Sequence, residues 1–218
     1  MKPISVYALN LPKRQDRLRS ILQQFREKSE FDFKVISVIQ HKIGAFGQWR
    51  NFVGLVQQEE KKNSEYFIFC EDDHVFTKDY NFKYLQDCIN EAENLKADIL
   101  CGGVGFVRDA IQCTANLYWM NVFNGMQFTI VFNRFYKKII QSDTNEGFIS
   151  DIYLSEISDS KFVMYPFIST QKEFGYSDVT AKNNEAGYVE AIFKGTSEKL
   201  RVLDKVKKNY YPHIAYEL

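Results

Sequence analysis

The chain has 218 residues, 45% hydrophobic and 16% aromatic, enough for a large core and too apolar for a disordered chain. Its 28 Lys and Arg balance 28 Asp and Glu. That balance excludes a global attraction for nucleic acid or anionic membrane and leaves local clusters as the electrostatic signal.

Cys70, Cys88, Cys101 and Cys113 show neither CxxC nor metal-ligand spacing and read as reduced, buried thiols. The opening "MKPISVYALNLPKRQ" has charge and Pro where a signal peptide needs an apolar run, and no stretch approaches a membrane span. The expectation is a single domain over 1–218, cytoplasmic and at most peripherally attached at the inner face of the membrane.

"ISVYALNL" (4–11) is a β-rich run stopped by Pro12. Leu18, Ile21, Leu22 and Phe25 follow at i, i+3, i+4 and i+7 and predict a helix over roughly 13–29. "FDFKVISVI" (31–39) is a second strand, and Phe46, Trp49, Val53 and Val56 share one face of a helix running to about Lys61. "EYFIFC" (65–70) is apolar at nearly every position, as a parallel strand covered on both faces should be. A helix over "LQDCINEAENL", a strand over "ADILCGG" and a tight turn at Gly102 and Gly103 come next. "MQFTIVF" is a strand, "NRFYKKIIQ" a helix, "FISDIYLSEIS" a short helix opening near Asp151, and "KFVMYPFI" a late strand. Beyond about Asn183 little periodicity is visible. The alternation predicts an α/β fold with a mainly parallel sheet flanked by helices, and a ligand site beyond the carboxyl ends of its strands.

Two clusters fall at such ends. Glu71, Asp72 and Asp73 directly follow the third strand. In extended geometry Glu71 and Asp73 face one way and Asp72 the other. Paired carboxylates there suit Mg²⁺ or Mn²⁺ together with substrate phosphates; the competing reading is a solvated acidic turn. Lys13, Arg14, Arg17 and Arg19 crowd the start of the first helix, where the dipole disfavours cations. A docked anion such as a diphosphate relieves that conflict; the competing reading is a solvated basic face. Both clusters should meet on one sheet edge. His74 is read as a packing residue, and Trp49 and Trp119 as core.

"VYALNLPKRQDRL" resembles the opening of the family 25 glycosyltransferases, the group of bacterial lipopolysaccharide glycosyltransferases and collagen galactosyltransferases. "FIFCEDDHVF" resembles their EDD form of the DxD motif, and "GMQFTIVFNRFYKKII" the segment that follows it. "FISDIYLSEI" resembles their late Asp motif, and "YPFISTQKEFGYSDV" their Pro, Gln and Ser-Asp tail at Pro166, Gln171, Ser177 and Asp178. A Ser-His pair usual near the second helix is missing from "GAFGQWRNF".

The resemblance implies a GT-A fold and an inverting, metal-assisted hexosyltransferase. It would use a nucleotide-sugar, probed first as UDP-hexose, and a glycan or lipid-linked saccharide of lipopolysaccharide type as acceptor, with no nucleic acid partner. On that reading Asp73 is the main metal ligand, with Glu71 and, from the tail, His213 beside it. Arg14 and Arg17 contact the donor, Asn10 and Leu11 line its base or ribose pocket, and Glu71 and Asp72 support the donor sugar.

Asp151 is chosen as general base, at a helix start whose dipole favours its ionised form; an N-cap role competes, and Glu146 and Asp178 are the next candidates. Two other classes stay open. One is a catalytically silent nucleotide-sugar or glycan-binding protein. The other is a haloacid-dehalogenase-like phosphatase, whose nucleophile must be Asp where this chain has Glu71.

Overall fold

Strands apolar at every position need cover on both faces, and the order of elements supplies it. The computed structural model describes residues 2–39, 44–142, 150–176 and 181–211. Its first half runs β1 (Ile4–Asn10), α1 (Gln15–Phe25), β2 (Phe31–Ser37), α2 (Gly44–Lys61), β3 (Tyr66–Glu71), β4 (His74–Phe76) and α3 (Phe82–Asn94). Short strands follow: β5 (Ile99–Cys101), β6 (Phe106–Val107), β7 (Ala110–Gln112), β8 (Leu117–Met120) and β9 (Phe123–Asn124). The second half holds β10 (Phe128–Phe132), α4 (Asn133–Ile140), α5 (Ser150–Ile157), β11 (Lys161–Met164), β12 (Ser169–Gln171), a 3-10 turn at Ala181–Asn184 and α6 (Tyr188–Tyr210).

Eight strands form one sheet in the order β2-β1-β3-β10-β5-β11-β8-β7. β1, β2, β3, β5, β7 and β11 run one way, and β8 and β10 the other. The sheet is therefore mainly parallel in direction, as expected, with β10 inserted antiparallel between β3 and β5. Two small ribbons, β4 with β12 and β6 with β9, project from it.

Alternation along each strand feeds two cores. Tyr7, Leu9, Phe67, Phe69 and Val131 pack with α2, α4, α5 and α6 on one face. Val6, Ala8, Ile68, Cys70, Ile130 and Phe132 pack with α1 and α3 on the other. All four cysteines are free, and three are buried.

Two expectations change. The stretch after Asn183 holds a 23-residue helix, α6, whose Val189, Phe193, Thr196 and Leu200 are buried. Gly102 and Gly103 serve a close approach rather than a tight turn: a Cβ on Gly103 would stand 2.2 Å from the Ser169 carbonyl oxygen.

Candidate active site

A cleft of about 320 Å³ opens where β1 and β3 end side by side. Leu11, Arg14 and Arg17 line it from one edge, Glu71, Asp72 and Asp73 from the next, and Asp151 from across. The basic and acidic clusters, about 55 residues apart in sequence, thus meet in one place.

They meet by forming bonds. Asp72 turns toward α1: its Oδ1 accepts from Arg17 Nη1 at 2.9 Å and its Oδ2 from Asn10 Nδ2 at 2.9 Å. Arg14 Nη1 stands 3.8 Å from the same Asp72 Oδ2. Asn10 is therefore buried behind Asp72 rather than lining a base pocket. Asp73 was expected beside Glu71, but β3 ends at Glu71 and the chain turns at Asp72 and Asp73. The turn breaks the extended alternation, so Asp73 Oδ2 also accepts from Arg17 Nη1, at 2.9 Å.

Arg17 is the hub of this end. Its Nη2 donates to the Tyr176 carbonyl at 2.8 Å, and the rings of Phe174 and Tyr176 each lie 4.9 Å from its guanidinium carbon. Burial alone would lower the Arg17 pKa; the Asp73 and Asp72 carboxylates raise it, so the cation is permanent.

Glu71 keeps to the α2 side of the sheet. Gln48 Nε2 of α2 donates to its Oε1 at 2.6 Å, and Gln171 Nε2 of β12 to its Oε2 at 2.8 Å. Burial raises the Glu71 pKa, Asp73 adds to the rise, and the Gln48 amide opposes it. Asp73 is also raised by burial, against the pull of Arg17. Gln48 was absent from the sequence-based site, and Gln171 figured only in a motif. A polar residue directly before buried Trp49 was the available signal for Gln48. Gln171 reaches Glu71 because β12 pairs with β4, registering Gln171 opposite His74.

Asp151, in the first turn of α5, is fixed by two backbone N–H groups, Gly125 at 2.7 Å and Ile152 at 2.8 Å. Burial raises its pKa, opposed by those bonds; the expectation that the helix start would favour the ionised form is outweighed by desolvation. His74 is buried and packs against Phe76 and Phe128. His213, Glu146, Ser177 and Asp178 lie outside the described residues.

The expected metal finds little to bind. Both oxygens of Glu71 take amide protons, both of Asp72 take Asn10 and Arg17, and Asp73 Oδ2 takes Arg17. Of the six oxygens of these three acids, Asp73 Oδ1 alone is buried without a partner. Among the described residues no three His, Cys, Asp or Glu side chains form a metal cluster. Five of the six oxygens therefore already hold a protein donor, so the site does not present the free paired carboxylates that a divalent ion would use, and an ion on Glu71 or Asp73 would compete with Gln48, Gln171 or Arg17.

A mainly parallel sheet with helices on both faces and a charged cleft at its strand ends defines a Rossmann-like α/β protein. Among solved structures, the chain is similar to A197 from STIV at TM-score 0.52 and 15% identity, covering 80% of this chain and 87% of that one. A glycosyltransferase involved in glycosylation of the major capsid of PBCV-1 aligns at TM-score 0.46 and 10% identity, over 88% of this chain and 99% of that one. An apo UDP-glucose pyrophosphorylase aligns at TM-score 0.45 and 11% identity, over 90% of this chain and 82% of that one. No family model and no curated protein matches. Among the described residues no helix is long and apolar enough to cross a membrane.

Proposed function

We propose that the protein is an inverting hexosyltransferase of the family 25 kind. It takes its sugar from a nucleotide-sugar, UDP-hexose first among those to test. It delivers the sugar to a glycan or lipid-linked saccharide acceptor of lipopolysaccharide type, with the chain acting as one domain at the cytoplasmic face of a membrane. The observation that carries this reading is the single cleft that gathers Arg14, Arg17, three carboxylates and Asp151 at the ends of β1 and β3.

Arg14 stands at the start of α1, where a diphosphate meets both its charge and the positive end of the helix. Leu11 lines the donor side of the cleft. Asp72 and Glu71 act indirectly: Asp72 holds Arg17 and Asn10, and Glu71 ties α2 to β12. In the transfer, the acceptor hydroxyl oxygen bonds to the anomeric carbon from the face opposite the diphosphate. The bond to the diphosphate oxygen breaks with its electron pair, and the hydroxyl proton passes to Asp151. Burial raises the basicity of Asp151, which suits a base working near neutral pH.

A silent nucleotide-sugar-binding module is the second reading, because two backbone bonds to Asp151 are also what a structural staple makes. A thermal-shift panel of UDP-, GDP- and CMP-sugars tests the donor; a ligand at 100 times its Kd stabilises by about 2.7 kcal/mol. Asp151→Asn then separates the readings. A base lost cuts kcat about 10²–10⁴-fold with donor affinity kept, and turnover at the wild-type rate moves the role elsewhere.

A further inference from the structure

We propose that Arg17 is the resident cation of the acidic turn, standing where a divalent metal would bridge paired carboxylates, so that a nucleoside diphosphate binds here without a metal. The last clause rests on the nucleotide-sugar reading of the cleft; the first does not.

A bridging metal does three things at such a turn. It neutralises carboxylates that repel one another, it joins two of them through one centre, and it holds them rigid. Arg17 does all three. A single nitrogen, Nη1, donates to Asp72 Oδ1 and to Asp73 Oδ2, both at 2.9 Å. The guanidinium is 6% exposed as a residue, held between Phe174 and Tyr176 and anchored by Nη2 on the Tyr176 carbonyl. That fixation is already in place before any ligand arrives. Unlike an exchangeable ion, guanidinium cannot leave and cannot lose its proton.

The oxygens left over make the same point. Each Asp72 oxygen already has a donor once Asn10 is counted, and so has each Glu71 oxygen, from Gln48 and Gln171. To gain a second carboxylate oxygen a metal would have to compete with Arg17 at Asp72 or Asp73, with Asn10 at Asp72, or with a glutamine amide at Glu71. Meanwhile Arg17 lines the cleft with its Nε–H buried and unpartnered, and Arg14 lines it beside Arg17. The Arg17 charge is answered by Asp72 and Asp73, so the Arg14 guanidinium and the spare Arg17 N–H are the donors this side of the cleft offers a diphosphate.

The test compares wild type, Arg17→Ala and Arg17→Lys in EDTA and in millimolar Mn²⁺, reading Tm and the Kd for UDP by calorimetry. In wild type both readings should change less than twofold, or within error for Tm, between EDTA and Mn²⁺. Arg17→Ala opens a gap beside two carboxylates. It should melt lower than wild type in EDTA and recover on adding Mn²⁺. If Arg17→Ala does not fold, Arg17→Lys, whose ammonium stops short of the Nη1 position and has no second nitrogen for the Tyr176 carbonyl, should show a smaller lowering of Tm in EDTA with the same direction of Mn²⁺ response. A wild-type Tm that rises with Mn²⁺, UDP affinity improved tenfold by Mn²⁺, or a variant as stable as wild type in EDTA would each overturn the proposal. Absence of UDP binding under every condition would refute the metal-free diphosphate clause and the nucleotide-sugar reading, while the Tm comparison still decides the role of Arg17.

Discussion

His74 follows three acids and still behaves as a core residue. Its Nδ1 lies 2.8 Å from Ser169 Oγ, and the rings of Phe76, Phe128 and Phe25 surround it. Burial, helped by Lys28, lowers its pKa to about 3. The sign follows from linkage: the unfolded chain binds the proton first, so the neutral buried ring contributes its full stability above about pH 6.5 and loses it as pH falls toward 3. Wild type should lose about 1.4 kcal/mol per pH unit more than His74→Phe between pH 6 and 4.5. Urea unfolding at several pH values measures this, and parallel slopes would refute the assignment. Gly103 poses a steric constraint instead of an electrostatic one. With the Ser169 oxygen 2.2 Å from any added Cβ, Gly103→Ala should cost at least about 1–3 kcal/mol, read as a lower urea midpoint.

At the scale of elements, Glu71 joins a helix and a ribbon that the sheet alone does not connect. Gln48 comes from α2 and Gln171 from β12, and both donate to it. Gln171→Ala should destabilise by about 1 kcal/mol, because it leaves a half-buried carboxylate oxygen without its amide. In a Glu71→Gln background the same substitution should cost less, and a double-mutant cycle by urea unfolding reads the coupling. Additive costs would show that the two side chains act independently.

Elements with local signatures were legible in the sequence. β1 and β3 are apolar runs, α1 shows its i, i+3, i+4, i+7 stripe, and the acids and bases sit at strand ends. What joins them was not. β4 and β12 are three residues each and exist through pairing across roughly 95 residues, a contact that no local pattern encodes. The Asp72–Asp73 turn hides in a stretch that reads as extended, so Asp73 was assigned the side of Glu71. α6 carries a readable stripe at Val189, Phe193, Thr196 and Leu200, masked by the lysines and glutamates on its exposed side.

For the whole molecule, α6 links stability to the site. It lies over the far half of the sheet, where Thr196 Oγ1 donates to the Gly105 carbonyl at 2.7 Å and Lys199 Nζ to the Val107 and Arg108 carbonyls at 3.0 and 2.7 Å. Its start is capped by Glu173, which accepts from the backbone N–H of Gly187 and Val189, both at 2.8 Å, as an anion at a helix N-terminus should. The same helix brings Tyr188, Ile192 and Phe193 to the cleft wall. Leu200 and Phe193 are both buried in one core, but only Phe193 also faces the cleft. Leu200→Ala should therefore cost about 2–5 kcal/mol through its cavity and, on the nucleotide-sugar reading proposed above, leave UDP affinity unchanged where the protein stays folded. Phe193→Ala should cost about 3–5 kcal/mol and weaken UDP as well. Urea unfolding and calorimetry on the two variants separate these effects. If both variants bind UDP as wild type does, α6 is a cover for the core and the ligand never reaches its face.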